Sequence, residues 1–432
     1  MNHNGHIPLS PFRWLTRTAP GAPELADLPL EIHRELDRLS IPRERLAGRR
    51  IAVTAGSRGI ARLKDIVRSL CQWLREQGAE PFVIPAMGSH GGATAAGQRH
   101  ILEEYGVRPE TVGAEILSSM DTVKVGETAA GVQAYMDRLA WESDGVLVMN
   151  RVKPHTSFRG KIESGRLKML AIGLSKRDGA EEVHLYARKY GYEETIRAVA
   201  EVLLASGKIL AGVGVVENEF HQICVAQAAR PEEMAAQEEA LTETARRLVP
   251  RLPFSSAHLL IVDELGKNIS GTGMDTKVIG RGVETAPGEA PAIDMIYVRD
   301  LTAESGGNAV GMGYADVIHE RFYRKVELNR THINALTALN PGAVRLPIFL
   351  PTDREALDFA LGVLGSPEPQ RQRVAWVHNT LDLGRVGLSQ SLAAEAANLQ
   401  GWTISPEVFE PEFDAEGNLR SEREFSAREA AR

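Results

Sequence analysis

V-T-A-G-S-R-G-I-A-R, residues 53–62, is the stretch whose reading decides the fold. Arg50 to Ala55 is a β-prone run, and Ile60, Leu63, Ile66, Val67, Leu70 and Leu74 then recur at helical spacing as far as Gly78. Glycines mark the change of period, so the segment reads as one strand, one loop and one helix. The unit repeats. Residues 81–86 read as a second strand, G-S-H-G-G (88–92) as its loop and 94–105 as its helix. Further along, 145–150 (G-V-L-V-M-N) reads as a buried strand followed by a long polar segment containing K-P-H. A helix over 193–205 leads into I-L-A-G-V-G-V-V-E (209–217), with H-Q-I-C-V-A-Q (221–227) as its partner strand. Such alternation predicts the α/β class, with mainly parallel sheets flanked by helices.

With 432 residues, 43% of them hydrophobic, the chain has material for two or three domains. The Ala- and Glu-rich run 231–249 reads as a helix ending at P-R-L-P, which places a boundary there. The expected organisation is an N-terminal α/β domain over 1–252 and a C-terminal α/β domain over 253–404, with a functional cleft between them. Strands of the second domain are expected over 258–265, 292–300 and 373–378. The charged tail, 405–432, is either a strap packed back on the first domain or a frayed end.

Fifty basic against 57 acidic residues give a formal charge of −7, without long runs of one sign. That speaks against a nucleic-acid or anionic-membrane surface and for small solutes as partners. Cys71 and Cys224 are too few for a disulfide framework or a thiolate metal site, so a metal would fall to His, Asp or Glu. Two lone cysteines suit a reducing compartment, and no leader-like or membrane-length apolar run is present, so the expected location is the cytoplasm.

A-G-S-R-G-I-A-R also suggests the dinucleotide loop of a short-chain dehydrogenase. A glycine loop between strand and helix binds phosphate because its N–H groups approach the anion at the positive helix end. The dehydrogenase chemistry, however, needs a Tyr with a Lys four residues later, and none of the eight tyrosines has one. The nearest failure is Tyr186 with Lys189. The NAD reading is therefore set aside.

Three histidines follow predicted strands or lie in the segments after them, where α/β enzymes keep their sites. His90 sits in M-G-S-H-G-G-A-T, with freely turning glycines on both sides. His155 follows the stiff Pro154 in R-V-K-P-H-T-S-F-R-G-K, where Arg151, Lys153, Arg159 and Lys161 favour an anionic ligand. His184, in D-G-A-E-E-V-H-L-Y-A, falls on a helix. Each alone is equally explained as a hydrogen-bonded turn, loop or helix residue. Lys168, in S-G-R-L-K-M-L-A-I-G-L, lies among apolar residues, where a lysine either snorkels to solvent or has a charge-paired or covalent role.

The ordered set G-S-R-G, G-S-H-G-G, K-P-H, S-G-R-L-K and His184 resembles the nickel-dependent lactate racemase family, whose members interconvert stereoisomers of 2-hydroxy acids. E-L-G-K-N-I-S-G-T-G-M-D-T-K (264–277) extends the resemblance into the second domain. The resemblance implies a nickel-pincer nucleotide, a pyridinium mononucleotide that holds nickel through one carbon and two sulfurs and accepts hydride. It implies a tether at Lys168, a metal ligand at His184, and acid/bases at His90 and His155. It also implies a carboxylate-binding Arg58, completed by Lys277 or Lys267, with Gly56, Ser57, Gly88 and Ser89 in the cofactor loops. Loading would require cofactor-synthesis proteins as partners.

These residue types suit the reaction on their own terms. Moving hydride from one face of a 2-hydroxy acid to the other needs a proton acceptor or donor on each side, and imidazole titrates near working pH. A guanidinium fork matches a carboxylate, and imidazole suits nickel. The family's lactate enzymes carry an aromatic pair after this histidine and a shorter interval to the lysine. Here the interval is 13 residues (168 less 155) and polar, which points away from lactate to a larger or more polar acid, such as malate or a sugar acid. The alternative readings are a metal-dependent hydrolase or lyase using the same histidines, and a protein that binds a cofactor or sugar acid without turnover.

Overall fold

The computed structural model describes residues 6–56, 59–283, 288, 290–338 and 340–420. The chain forms two compact units, Gly21–Val249 and a second made of Met1–Pro20 with Pro250–Arg432. Both are α/β.

In the N-terminal unit a six-stranded sheet runs in the order Glu115–Ile116, Glu80–Pro85, Arg50–Ala55, Gly145–Arg151, Ile209–Glu217, Ile223–Ala229. The first five strands are parallel and the last is antiparallel. Both faces are buried, as parallel sheets require: Ile51 and Val53 pack with Ile66, Val67, Leu70 and Leu74 of the helix Leu63–Glu76, while Ala52 belongs to the core on the other face. From Arg50–Ala55 the chain first builds outward to Glu80–Pro85, then returns to Gly145–Arg151 on the opposite side. The carboxyl ends of Arg50–Ala55 and Gly145–Arg151 therefore flank the topological switch point, where open α/β sheets bind ligands. The G-S-R-G loop and the K-P-H segment both start there. A hairpin, Thr122–Glu127 with Gln133–Asp137, was not foreseen from the sequence.

The C-terminal unit has an eight-stranded sheet: Ile348–Leu350, Val317–His319, Ala292–Leu301, Ser256–Leu265, Val374–Val377, Arg385–Ser389, Phe12–Arg17, Trp402–Ile404. The first five are parallel and the last three antiparallel. Two expectations are corrected. The chain's beginning does not belong to the first domain, because Phe12–Arg17 pairs with Arg385–Ser389; the division after it falls at Val249 and Pro250. The tail was expected either as a strap on the first domain or as a frayed end. Up to Arg420 it packs on the C-terminal unit, where Phe409 stacks on Trp14 (centroids 4.9 Å apart) and Leu419 joins the core around Trp376. Large apolar side chains on a short tail bury themselves against the nearest open sheet face.

Among the described residues, no helix is long and apolar enough to cross a membrane.

Candidate active site

Gly145–Arg151 leads at its carboxyl end into a loop closed by a β-bridge between Lys153 and Ser164, whose amides exchange hydrogen bonds of 2.9 and 3.2 Å. The bridge brings the K-P-H turn beside the turn that carries Lys168. Inside the loop lies Glu163, fully buried. It accepts the backbone N–H of His155 and that of Gly160 (3.3 Å), and it pairs with Arg246 at 2.6 Å. Glu163 is the only acid between His155 and Lys168, and it is turned inward while Ser157, Arg159 and Lys161 stay exposed.

Lys168 closes a short helix, Arg166–Lys168, that runs on as a π-helical turn, Met169–Leu174. Such turns recur at functional sites because they re-aim side chains. The N-terminus of this helix is held by Glu238, fully buried, which accepts the N–H groups of Arg166 (2.7 Å) and Leu167 (3.1 Å) and pairs with the Arg166 guanidinium at 3.1 Å. Gly165 permits that approach: a Cβ there would lie 2.4 Å from the Glu238 carboxylate. Glu238 and Arg246 come from one helix, Met234–Leu248, so that helix braces both the lysine turn and the histidine loop.

Lys168 itself is partly buried, and among the described residues its ammonium makes no hydrogen bond or ion pair. Burial lowers its pKa to about 8, with the Glu163 charge pulling the other way. A fraction of the amine is therefore neutral, and nucleophilic, near physiological pH. His184, on the helix Lys176–Tyr190, has its pKa lowered by the surrounding protein first and by Lys168 second. Its side chain nevertheless reaches solvent, so the surrounding protein crowds it without sealing it off.

A run of rings joins the two histidines. His155 lies over Phe158 (4.5 Å between centroids), Phe158 stacks on Tyr192 (5.0 Å, 11°), and Tyr192 meets His184 edge-on (5.8 Å), with its hydroxyl 3.4 Å from His184 Nδ1. The backbone N–H of Ser157 donates to His155 Nδ1 at 3.1 Å, so the neutral ring carries its proton on Nε2.

His90 is exposed on the loop after Glu80–Pro85. That loop rests on the same π-helical turn, through Gly88 N–H to the Gly173 carbonyl (3.1 Å). Gly88 and Gly91 adopt left-handed backbone conformations, and a Cβ on Gly91 would come within 2.6 Å of the following helix. Buried Gln98 donates to the carbonyls of Gly88 (2.7 Å) and His90 (3.3 Å). Its own oxygen faces Lys176 at 3.3 Å, and Lys176 is fully buried against Asp137 at 2.8 Å. Sequence reading singled out Lys168 and passed over Lys176, which is the more buried of the two.

Gly56 lies where a Cβ would be 3.0 Å from Met169, so the G-S-R-G loop also abuts the lysine turn. Ser57 and Arg58 lie outside the described residues. One cation is reassigned. Arg151 does not wait for an anionic ligand but pairs with Glu217, whose other oxygen accepts the Ala61 N–H at 2.8 Å and so fastens the start of the following helix. Ser89 is exposed beside His90. Lys267 and Lys277 belong to the C-terminal unit: Lys267 reaches the Gly271 carbonyl, and Lys277 sits in a helical turn capped by Asp275. Thus His90's loop, His155, Lys168, His184, Gly56 and Gly88 gather at one edge of one unit. Sequence reading missed Glu163, Tyr192, Glu238, Arg246, Gln98 and Lys176; a lone acid among the six cations of residues 151–168 was the available signal for Glu163.

Among the described residues, no group of three His, Cys, Asp or Glu is disposed to hold a metal ion. Residues 33–193 match the lactate racemase N-terminal domain. Among solved structures, a Thermotoga maritima protein is 16% identical, with a TM-score of 0.49 over 65% of this chain and 72% of that one. The lactate racemase apoprotein from Thermoanaerobacterium thermosaccharolyticum is 14% identical, with a TM-score of 0.46 over 90% of this chain and 96% of that one. No curated protein matches the chain. The matched segment, residues 33–193, carries the histidine loops, the lysine turn and His184, so it is the part of the chain with the candidate site that is similar to the lactate racemase N-terminal domain.

Proposed function

We propose that the protein is a racemase or epimerase of a 2-hydroxy acid and works with a nickel-pincer nucleotide. The observation that carries this reading is Lys168: a partly buried amine, without an ion-pair partner among the described residues, lowered to about 8 and set beside a histidine. A tethering lysine needs that state, because only the neutral amine forms a covalent bond. The donor set fits as well. Nickel held by the nucleotide's own carbon and two sulfurs asks the protein for one imidazole, and His184 supplies it. Its Nδ1 faces the Tyr192 hydroxyl, which leaves Nε2 for the metal.

When bound, the nucleotide supplies a reversible hydride acceptor. The chain does the rest. Lys168 fixes the group in place, and His184 holds the metal. His90 and His155 exchange the hydroxyl proton on the two sides of the substrate. In the arrangement described, His155 presents an N–H at Nε2, so it is set to donate to a substrate oxygen; to accept a proton it changes tautomer and releases the Ser157 amide. Arg58, with Lys267 or Lys277, would bind the carboxylate. The polar loop between His155 and Lys168 favours a substrate larger or more polar than lactate, such as malate or a sugar acid. The reading also assigns the protein to the cytoplasm and makes cofactor-synthesis proteins its loading partners.

The test is intact-mass spectrometry of protein co-produced with the cofactor-synthesis proteins, followed by a screen of chiral 2-hydroxy acids. A covalent mass addition should appear on the wild type and vanish in Lys168→Ala, while His184→Ala should keep the mass addition and lose nickel. An addition that survives Lys168→Ala removes the tether. A loaded protein that interconverts no 2-hydroxy acid ends the racemase reading.

A further inference from the structure

We propose that Glu163 is a positioning residue of this site: one buried carboxylate sets the turn that aims His155. The inference rests on reading His155 as a site residue. Three groups converge on the carboxylate. The backbone N–H of His155 and that of Gly160 donate to its two oxygens, so the turn that aims the imidazole is pinned at both sides. Arg246 pairs with it at 2.6 Å and also donates to the Gly160 carbonyl, which locks the carboxylate's orientation.

A carboxylate suits this place because it only accepts hydrogen bonds, so both amides can point at it. A glutamine of the same length would turn its NH2 group on one of the two N–H groups and release that side of the turn.

The experiment uses the full chain without cofactor, so it does not depend on the racemase reading. Hydrogen exchange at the His155 amide reports the turn, and the 15N shifts of the His155 ring report the Nε2–H tautomer that the Ser157 amide imposes. In Glu163→Gln exchange at His155 should quicken by about tenfold or more, because an amide accepts that N–H more weakly than a carboxylate does, and the Nε2–H tautomer signature should be lost. Glu163→Asp, which keeps an acceptor-only group, should restore the tautomer signature. If Glu163→Gln does not fold, Arg246→Met, which leaves the carboxylate free to turn, should quicken the same exchange. Unmoved exchange at His155 or an unmoved tautomer signature in a folded Glu163→Gln, or unmoved exchange in Arg246→Met where that variant decides, overturns the proposal. Absence of any covalent addition at Lys168 in co-produced wild type would instead sink the racemase reading and leave this result standing.

Discussion

The two units use the same kind of sheet and treat the charges at its carboxyl edge in opposite ways. In the C-terminal unit, Asp263, Arg299 and His319 lie at or near the carboxyl ends of parallel strands, and Asp353 opens the helix after another. There most of the charge is closed on itself, although Asp263 Oδ2 is buried without a hydrogen bond among the described residues. Arg299 bridges Asp263 (2.5 Å) and Asp353 (2.9 Å), Arg321 adds 2.6 Å to Asp353, Tyr297 and Trp376 donate to the two carboxylates, and the Leu419 amide completes Asp353. In the N-terminal unit, Glu238, Glu217 and Asp137 are closed in the same way, but Lys168 lies beside them without an ion-pair partner among the described residues. Buried charge that is fully paired specifies structure, whereas a poorly hydrated charge left over is held for something that binds.

The largest expected effect tests whether the N-terminal edge is the chemical one. With the loaded protein in single turnover, His90→Ala should slow hydride abstraction from one enantiomer by ~10²–10⁴-fold and spare the other in part. His155→Ala should show the opposite preference, and steady-state interconversion should collapse in both. Equal, small losses for both enantiomers would return these histidines to loop structure and remove half of the contrast.

How much of that contrast could be read from the sequence depends on how local its causes are. Arg50–Ala55 and Ile209–Glu217 are legible to the residue, because unbroken apolar runs flanked by glycine or charge have one outcome in a parallel sheet. Phe12–Arg17 was not, since what makes it a strand of the C-terminal sheet is a partner at the other end of the chain. The site divides the same way. His90, His155, Lys168 and His184 stand out through their own neighbours. Glu163 acquires its role from Arg246, 83 positions away, and Lys176 from Asp137 and Gln98, so the only local sign of Glu163 is that it stands alone among cations, and Lys176 has none.

The next effect sharpens the other side of the comparison. Arg299→Met leaves Asp263 and Asp353 buried without their shared cation, and breaking a buried pair by removing one partner costs ~3–5 kcal/mol. The urea midpoint of the C-terminal unit should fall accordingly, with hydrogen exchange at the His155 amide unchanged. A midpoint within error of wild type would mean the network is not what holds that edge.

Acid should act on the same network with a smaller amplitude. Burial alone would raise the Asp353 carboxyl, but Arg299, Arg321 and Tyr297 overrule it and bring it down to about 2. A group depressed in the folded state contributes stability that is complete above its unfolded pKa, near 4, and is lost as pH falls towards 2. The contribution is about 2 kcal/mol. Stability of the C-terminal unit should therefore decline between pH 4 and 2 more steeply in wild type than in Asp353→Asn, whose own stability is lower at neutral pH. Parallel declines would show that Asp353 titrates alike in both states.

The smallest effect has the opposite sign and separates the two edges most directly. Lys168 has a folded-state pKa of about 8, below the 10.5 of an ordinary lysine, so below pH 8 the folded protein must keep a poorly hydrated ammonium without a paired anion. Between pH 8 and 10.5 the unfolded chain binds more protons than the folded one, and stability should rise with pH. Replacing the lysine by methionine removes the charge and keeps the apolar stem. Lys168→Met should therefore stabilise the N-terminal unit at pH 7 by ~1–2 kcal/mol, a figure discounted for the side chain's partial exposure, and should erase the rise above pH 8. Arg299→Met destabilises and Lys168→Met stabilises, although both delete a cation at the carboxyl edge of a parallel sheet. If Lys168→Met instead lowers the urea midpoint, the ammonium has a structural partner in solution, and the distinction between a closed edge and an open one fails.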